Sequence, residues 1–332
     1  MSKVRVGVIG IGWFGEMHIF AYQGVPNVEV AALCTRTESR LAEMAAKYGV
    51  KKTYTNYHDL LNDPEIDAVS ICTHAPDHLE PMLAAIKSGK HILLEKPMAL
   101  TVEECDQMIE AAKDAKQNIM VGHICRFENN YAMARQEVLD GRIGEVLSIY
   151  ARRNINGDRA VSHLQKLSSV TGDSVHDIDL MNWIIGKPVT KVYTMAVNAR
   201  NLPNYDVGWV NLHYGEKTLG VSESIWNLPS KTPYAIDARM EIIGTEGAIY
   251  VNEAASPLVI DDKDGRLIAE TVYWPTVHGN ITGALHNELA YFIDCIVKGK
   301  KPDIITLEES RYVIEVINAA ERSAETGEIV YL

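Results

Sequence analysis

Cysteine is scarce in this sequence, and its spacing excludes the usual structural uses of the residue. The chain has five cysteines in 332 residues, far apart and without a C-x-x-C pair. Disulfide frameworks and thiolate zinc sites both need closely matched cysteines. We therefore expect no metal site, and reduced thiols at Cys34, Cys72, Cys105, Cys125 and Cys295.

Long apolar runs and an excess of basic charge are also missing. There is no run of about 18 apolar residues, and no N-terminal segment with a basic start, an apolar stretch and a cleavage site. The chain has 32 Lys and Arg against 44 Asp and Glu, a formal net charge of -12. Non-specific binding to nucleic acid needs a basic surface. We expect a cytoplasmic protein without a nucleic-acid or membrane partner.

The patterning that is present indicates two domains, which the length allows. The first 125 residues alternate short apolar runs with helical patterns, as in βαβ units on a parallel sheet. After residue 143, longer β-rich segments with intervening turns predict an antiparallel sheet. We predict a doubly wound α/β Rossmann domain over 1–125, and an α+β domain with a large, mainly antiparallel open sheet over 126–332.

Individual strands and helices follow from the same pattern of apolar runs and helical periodicity. Strands are predicted at 4–10, 28–35, 68–73, 91–96, 118–123, 145–154, 189–200, 206–215, 218–227, 238–252 and 257–262. Helices are predicted at 38–48, 79–88, near 174–185, at 284–298 and at 307–326.

Residues 4–18, VRVGVIGIGWFGEMH, contain the spacing G-x-G-x-x-G. In a dinucleotide cradle Gly10 permits a tight turn, Gly12 lets the backbone approach a pyrophosphate, and Gly15 lets the next helix pack closely. The N-terminus of that helix favours phosphate. A plain glycine-rich turn would show the same spacing, so this motif alone is weak evidence.

The end of the second strand bears on the choice of cofactor. The segment VAALCTRTESR puts Thr35 and Arg36 where an aspartate is typical of NAD-binding proteins. No carboxylate is there to hold ribose hydroxyls or to repel a 2′-phosphate, whereas Arg36 could pair with one. We favour NADP slightly over NAD, or tolerance of both. The alternative is that Arg36 is a solvated loop cation.

Polar residues also follow the third and fourth strands, in SICTHAPDH and KHILLEKPMALT. The carboxyl ends of parallel strands share one edge with the glycine turn. Lys96 ends an apolar strand, where a lysine needs a partner or a purpose, whereas His74 and His78 would more often be solvated. The predicted crevice residues are Thr73, His78, Glu95, Lys96 and Pro97.

Four segments, GVIGIGWFG, THAPDH, GKHILLEKP and VHDIDLMNW, resemble the Gfo/Idh/MocA family in order and spacing. The final 47 or so residues follow the family pattern too, and EKP is its most specific short signature. The family includes glucose-fructose oxidoreductase and inositol dehydrogenases. The resemblance implies hydride transfer between a nicotinamide cofactor and a secondary alcohol or ketone of a sugar, inositol or sugar derivative.

The resemblance also implies roles for individual residues. The lysine of EKP, Lys96, reaches the reacting hydroxyl, and the Lys-Pro bond is often cis in relatives. His176 faces the substrate. Many relatives have an aspartate four residues before this histidine, where Gly172 stands here. Asp173 is therefore our candidate for that role, with a helix N-cap as the alternative.

Together the motifs and the resemblance predict a set of site residues. The catalytic residues are Lys96, His176 and Asp173, and the cofactor-binding residues are Gly10, Gly12, Trp13, Phe14, Gly15, Thr35, Arg36, Thr73, His78, Glu95, Lys96, Pro97 and Arg126. Arg126 could instead meet substrate or an interface carboxylate. Asp177 and Asp179 are interpreted as helix-surface or structural carboxylates. The segment with Arg152, Arg153, Asn156, Arg159 and His163 could meet substrate or be plain surface, and Trp226, Tyr234 and Trp274 could stack on a sugar or lie in the core.

Three other functions are kept as alternatives. These are an NAD-dependent glycoside hydrolase of the same fold, a non-catalytic dinucleotide-sensing regulator, and a metal enzyme using Cys72, His74 and His78. By resemblance, the second domain binds substrate and pairs through its open sheet in a homodimer or homotetramer.

Overall fold

The computed structural model describes residues 3–253, 258–263 and 265–332. The chain forms two compact units. The first consists of Met1–Phe127 and Tyr273–Arg311, and the second of Glu128–Val272 and Tyr312–Leu332. The boundary that we predict after residue 125 lies near the first of these divisions. The C-terminal part of the chain is shared between the two units.

The first unit contains a parallel sheet of six strands. Their spatial order, β3-β2-β1-β4-β5-β6, is that of a doubly wound dinucleotide-binding fold, so the predicted Rossmann domain is confirmed. The three-residue strand β3 is the one that the pattern of apolar runs did not predict. The strands are β1 (Val4–Ile9), β2 (Val28–Cys34), β3 (Lys52–Tyr54), β4 (Ala68–Ile71), β5 (His91–Glu95) and β6 (Ile119–Gly122).

Helices pack on this sheet through amphipathic faces. In α2, Leu41 and Met44 pack into a cluster with Val8, Ile19 and Leu33. Full burial of such a side chain stabilises the fold by roughly 1.5–3 kcal/mol. The helices of the first unit are α1 (Trp13–Tyr22), α2 (Glu38–Tyr48), α3 (Tyr57–Leu61), α4 (Leu79–Lys87), α5 (Val102–Ala112) and α9 (Ala284–Lys298), with a hairpin of β15 (Thr276–Val277) and β16 (Asn280–Ile281).

The second unit contains a mixed, mostly antiparallel sheet in the order β12-β11-β7-β10-β9-β8-β17. Only the β7–β10 pairing within it is parallel. The strands are β7 (Val146–Ile155), β8 (Val189–Val197), β9 (Val207–Tyr214), β10 (Thr218–Ile225), β11 (Ile236–Gly244), β12 (Ala248–Asn252) and β17 (Val330–Tyr331), and β13 (Val259–Asp262) pairs separately with β14 (Gly265–Ile268). The predicted segment 238–252 is therefore a hairpin of two strands.

The two faces of this sheet differ in character. On one face α8 (Val175–Ile185) contacts β7 and β10, and buries Leu180 and Met181. The alternate residues Tyr193, Met195 and Trp209 are exposed on the other face. The remaining helices of the unit are α6 (Asn129–Leu139) and α7 (Gly157–Ala160), together with the part of α10 (Leu307–Thr326) that follows residue 311.

None of the helices among the described residues combines the length and the apolar character needed to cross a bilayer. Within the same ranges, no group of three or more His, Cys, Asp or Glu side chains is arranged to hold a metal ion. None of the five cysteines, all of which lie in the described ranges, forms a disulfide.

Candidate active site

The three motif glycines of the first unit have three different physical reasons. Gly10 has a φ of +88°, and a Cβ there would lie 2.7 Å from the Cys72 backbone. A Cβ on Gly15 would collide with the Gly10 carbonyl oxygen, whereas one on Gly12 would meet nothing within 4 Å. Gly12 therefore borders open space beside the turn, as a cradle for a ligand requires.

Helix α1 begins directly after this turn. Gly12 is its N-cap residue and supplies no side-chain hydrogen bond. The N–H groups of a first helical turn have no partner within the helix, and the helix dipole places partial positive charge there. A pyrophosphate suits this position. The residues present thus fit the dinucleotide that the motif predicts.

Arg36 follows β2 and is almost entirely solvent-exposed, with a side-chain exposure of 90%. Its Nη2 lies 3.9 Å from Oδ2 of Asp77, a carboxylate on the neighbouring loop. Thr35 is half-buried, and its N–H donates to the Tyr54 carbonyl of β3. The cation predicted after β2 is present, and an acidic group that the sequence pattern did not place stands beside it.

His78 is buried rather than solvated. Its Nδ1 lies 2.9 Å from the Pro97 carbonyl oxygen and its Nε2 lies 3.0 Å from that of Thr73. Burial lowers the pKa of the imidazole. His78 therefore joins the loop after β4 to the loop after β5, and the interpretation of it as a solvated histidine is wrong. His74, by contrast, is exposed.

Glu95, Lys96 and Pro97 lie at the carboxyl end of β5. The Lys96–Pro97 peptide is cis, as the resemblance implies. The Glu95 carboxylate is buried and accepts hydrogen bonds from the Lys96 N–H (3.2 Å, to Oε2) and from the ring of His18 (Nε2 to Oε1, 3.0 Å). The first unit thus places Lys96 at the same sheet edge as the glycine turn.

Aromatic side chains surround the start of α1. Trp13 is 62% exposed, and its ring packs edge-on against Trp274 with centroids 5.4 Å apart. Phe14 contacts both Trp274 and His18. The sequence analysis allowed Trp274 either to stack on a sugar or to lie in the core. In the structure it lies beside two predicted cofactor-binding residues, Trp13 and Phe14.

Arg126 is buried and engaged with neighbouring residues. Its Nη1 donates to the Ile304 carbonyl oxygen at 2.7 Å and to Oε2 of Glu309 at 3.1 Å. This pairing holds the turn Ile124–Phe127 against the segment before α10. Glu309 belongs to the same unit as Arg126, so it is not the interface carboxylate of the sequence analysis, and contact of Arg126 with substrate or cofactor stays a prediction.

In the second unit His176 is the second residue of α8, with an exposure of 8%. A π-helical turn, Val170–Ser174, precedes α8 and carries Asp173. Oδ2 of Asp173 accepts a hydrogen bond from the Trp226 indole N–H at 2.6 Å. The N-cap residue of α8 is Ser174, so the capping alternative for Asp173 is wrong.

Trp226 also explains why residue 172 is glycine. A Cβ at Gly172 would collide with the outer edge of the Trp226 ring, and would lie 2.8 Å from Cδ1 of Leu167. Trp226 is held in place by a cluster with Ala160 and Leu164. It is therefore a core residue, and it occupies the room that a side chain at position 172 would need.

Asp177 and Asp179 are fully buried, which corrects the helix-surface interpretation and leaves the structural one. Oδ1 of Asp177 accepts from Nη2 of Arg153 at 3.0 Å. Burial raises the pKa of Asp177 to about 6, although Arg153 opposes the rise. This ion pair fastens α8, which carries His176, to β7.

Most side chains of the polar segment around residue 156 contact other protein groups. Arg152 pairs with Asp237 at 2.8 Å, and the Asn156 side chain accepts from the Asp158 N–H at the start of α7. His163 packs against the Trp226 ring, and Tyr234 is half-buried. The side chain of Arg159 lies outside the described residues.

Sequence reasoning missed two buried groups of the first unit, His18 and Glu288. Both are fully buried, His18 in α1 and Glu288 in α9. A signal for Glu288 exists in the sequence, because it lies among Leu285, Leu289 and Phe292 on the apolar face of α9. A carboxylate on a core-facing stripe indicates a special environment.

The parallel sheet, the glycine turn and the lysine at the same sheet edge define a dinucleotide-binding protein of the Rossmann class. Comparison with known proteins agrees. The chain matches the family described as "Oxidoreductase family, NAD-binding Rossmann fold" over residues 4–123, and its "C-terminal alpha/beta domain" over 135–332. The chain belongs to the Gfo/Idh/MocA family, and it is an oxidoreductase acting on CH–OH groups.

Individual relatives match over nearly the whole chain. A myo-inositol 2-dehydrogenase of Thermotoga maritima is 28% identical over 99% of this chain and 98% of the relative. A scyllo-inositol 2-dehydrogenase (NAD(+)) of Bacillus subtilis is 27% identical over 99% of this chain and 96% of the relative. A crystal structure of scyllo-inositol dehydrogenase from Lactobacillus casei, with NAD(H) and scyllo-inositol bound, shares the fold with a TM-score of 0.85 at 21% identity, and 99% of each chain is covered.

Proposed function

We propose that this protein transfers a hydride between a nicotinamide dinucleotide and a secondary alcohol or ketone of a cyclitol, a sugar or a sugar derivative. The observation that supports this proposal most directly lies in the first unit. A glycine turn that fits a pyrophosphate and an anchored lysine occupy one edge of one sheet. The curated relatives that act on inositols support the substrate class.

The chemistry divides between the cofactor and the side chains. When bound, the nicotinamide ring accepts or supplies the hydride. Hydride transfer depends on holding the carbinol carbon near that ring, at about 3–3.5 Å. In our proposal His176 takes the proton of the substrate hydroxyl, and such a base contributes roughly 10²- to 10⁴-fold. Lys96 stabilises the negative charge that develops on the same oxygen.

Asp173 is included in this proposal as the group that orients or neutralises the catalytic pair. Its hydrogen bond to the Trp226 indole limits the directions that its carboxylate can take. We therefore assign the orienting role to Asp173, whose carboxylate is held by Trp226. Asp173 is one residue closer to His176 in the chain than the corresponding aspartate of many relatives.

For the cofactor we propose tolerance of both NAD and NADP, with NADP favoured by Arg36. The exposed guanidinium is free to approach a 2′-phosphate. Asp77 opposes this preference, since its carboxylate lies 3.9 Å from the same guanidinium. The Bacillus subtilis relative is described as NAD(+)-dependent, so the balance between Arg36 and Asp77 decides the outcome here.

We also propose that the protein acts in the cytoplasm as a homodimer or homotetramer. The supporting observation is the open face of the large sheet, where Tyr193, Met195, Val197 and Trp209 are exposed. Contiguous exposed apolar residues of this kind are typical of interfaces.

The test of this function begins with a dehydrogenase screen. Inositols, aldoses and nucleotide sugars are offered with NAD and with NADP, and absorbance of the reduced cofactor is followed. Lys96→Ala and His176→Ala should each lower turnover by at least about 10²-fold and still bind dinucleotide, measured by fluorescence of the reduced cofactor.

A matched control is Lys113→Ala, because Lys113 is a well-exposed lysine at the end of α5. It should keep wild-type turnover. Normal turnover in both the Lys96 and the His176 variants would refute the assignment of roles. An aryl glycoside assayed with NAD separates the hydrolase alternative, and absence of turnover with every substrate would favour the regulator.

A further inference from the structure

The first unit buries two carboxyl groups, Glu95 at the end of β5 and Glu288 in α9. We call them the carboxyl pair. Glu288 is completely buried, and neither of its carboxyl oxygens has a hydrogen-bond partner among the described residues. Burial raises the pKa of the Cys72 thiol most, and electrostatic interactions with Glu95 and Glu288 each raise it further. Both carboxyl groups therefore lie close enough to act on the same thiol.

The titratable groups that the structure describes around the carboxyl pair include the buried His123, which directly follows Gly122 in the chain. From α1 come His18 and Tyr22, whose hydroxyl is hydrogen-bonded to Ser70. His78, which follows β4, interacts electrostatically with Glu95. Both of its ring nitrogens contact backbone carbonyl oxygens. Arg126, in the turn packed against α9, is engaged with Glu309 and a carbonyl. Two ionised carboxylates in such a place would be strongly disfavoured.

Hydrogen bonding decides which member of the carboxyl pair keeps the charge. Glu95 accepts from the His18 ring at 3.0 Å and from the Lys96 N–H at 3.2 Å. Hydrogen bonds to a carboxylate favour its charged form. Glu288 receives none from the described residues, and an unpartnered buried carboxylate is costly. Burial, and then the charge of Glu95, raise the pKa of Glu288 well above its usual range.

We propose that Glu288 is a neutral carboxylic acid in the resting enzyme, and that the charged Glu95, held by His18, is the positioning residue that fixes the backbone at Lys96. The second half of this inference rests on the proposed function, because Lys96 matters there as the group that meets the substrate. The first half does not depend on any activity.

Gly122 of β6 supports the positioning role. A Cβ at Gly122 would lie 2.9 Å from Oε1 of Glu95, so this glycine leaves the room that the carboxylate occupies. The carboxylate is thereby confined by β6, by α1 and by its own backbone. A misplacement of about 1 Å in a catalytic group can cost about 10²-fold in rate, which is the scale on which a positioning residue acts.

The neutral acid is tested without substrate. Infrared difference spectra of the whole protein at neutral pH should contain the carbonyl band of a protonated carboxyl group, and Glu288→Gln should remove it. Glutamine is a neutral isostere, so this variant should fold with a melting temperature close to that of the wild type. Absence of the band, or a Glu288→Gln chain that does not fold, would overturn the first half of the inference.

The same variant has a pH signature with a definite sign. A group whose pKa is raised on folding binds more protons in the folded state, so stability falls as pH rises. The melting temperature of Glu288→Gln should therefore gain on that of the wild type as pH rises above about 5. Parallel pH profiles would count against a neutral Glu288. Glu110→Gln, an exposed change on α5, is the control and should follow the wild type.

The positioning role is tested with Glu95→Ala and Glu95→Gln. We expect Glu95→Ala to lower kcat by about 10²-fold while the KM for the alcohol changes by less than about threefold. Glu95→Gln, which can still accept the Lys96 N–H, should recover part of the loss. Wild-type kcat per folded Glu95→Ala molecule would refute the role.

One measurement keeps this result separate from the proposed function. Amide hydrogen exchange at Lys96, followed by nuclear magnetic resonance, should be at least tenfold faster in Glu95→Ala than in the wild type, with recovery in Glu95→Gln. If the wild type turns over no alcohol, the proposed function fails, and the exchange rates still decide whether Glu95 anchors Lys96. If Glu95→Ala leaves the amide exchange rate of Lys96 unchanged, Glu95 does not anchor the backbone at Lys96.

Discussion

Gly172 lies under the outer edge of the Trp226 ring, and this contact reverses the usual effect of a glycine substitution. Alanine inside a helix ordinarily stabilises by roughly 0.5–1 kcal/mol relative to glycine. Here the added Cβ would meet Trp226 and Leu167, and overpacking of this kind costs about 1–3 kcal/mol. We expect Gly172→Ala to lower the free energy of unfolding, measured in urea, by about 1–2 kcal/mol.

A double-mutant cycle tests whether Trp226 is the cause. Trp226→Phe removes the outer ring, so the cost of Gly172→Ala should shrink in that background. Gly24→Ala is a suitable control, because a Cβ there would find ordinary contacts of 3.5 Å or more. Equal costs of Gly172→Ala in both backgrounds would contradict the explanation.

Substitutions at Arg36 and at Asp77 should change the use of NADP in opposite directions. Arg36→Ala should lower kcat/KM with NADP by about tenfold, an effect of about 1.4 kcal/mol, and change kcat/KM with NAD little. Asp77→Asn should raise the value with NADP, because it removes the carboxylate 3.9 Å from the guanidinium. Steady-state kinetics with both cofactors measure the two changes. If Arg36→Ala leaves kcat/KM with NADP unchanged, Arg36 is a solvated cation.

At the scale of elements, a buried ion pair, Arg153 with Asp177, joins α8 to β7. The pKa of Asp177 is raised from 3.8 to about 6. An acid whose pKa is raised on folding stabilises most below its unfolded value, and this stability is lost as pH rises through the folded value. The wild type should therefore lose stability between pH 4 and about 6 through this group, by roughly 3 kcal/mol.

Asp177→Asn removes the titrating group and should lack that decline. Urea unfolding of both proteins at pH 4, 5, 6 and about 7 measures the difference. Asp140→Asn, an exposed change after α6, should follow the wild-type profile. Wild-type and Asp177→Asn curves that stay parallel would show that Asp177 does not titrate in this range.

At the scale of the whole molecule, the open sheet face predicts self-association. Met195 is 58% exposed in the middle of the apolar residues of β8. Met195→Glu places a charge on this face and should shift the mass measured by light scattering toward the monomer. Met133→Glu, at a methionine of α6 that is 65% exposed, is the matched control and should keep the wild-type mass. Identical masses for all three proteins would exclude this face as the interface.

The fold could be predicted well because its elements repeat local patterns. The apolar runs that form β1, β2 and β5 and the periodicity of α2 and α9 depend on neighbours a few residues apart. The short β3 and the hairpin of β11 and β12 were beyond the pattern, since three residues carry little periodicity and a tight turn interrupts a long apolar run only briefly. The glycine turn was also readable, because the G-x-G-x-x-G spacing lies within six consecutive residues, 10–15.

The sequence by itself determined the parallel half, the dinucleotide turn and the positions of Lys96 and His176. Only the tertiary structure decided that His78 is buried between two carbonyl oxygens, that Trp226 excludes a side chain at Gly172, and that Glu288 acts on the same buried thiol, Cys72, as Glu95 does. The reason is separation along the chain: His18 meets Glu95 across 77 positions, and Trp226 meets Asp173 across 53. Such pairings depend on how the elements pack, which local patterns do not encode.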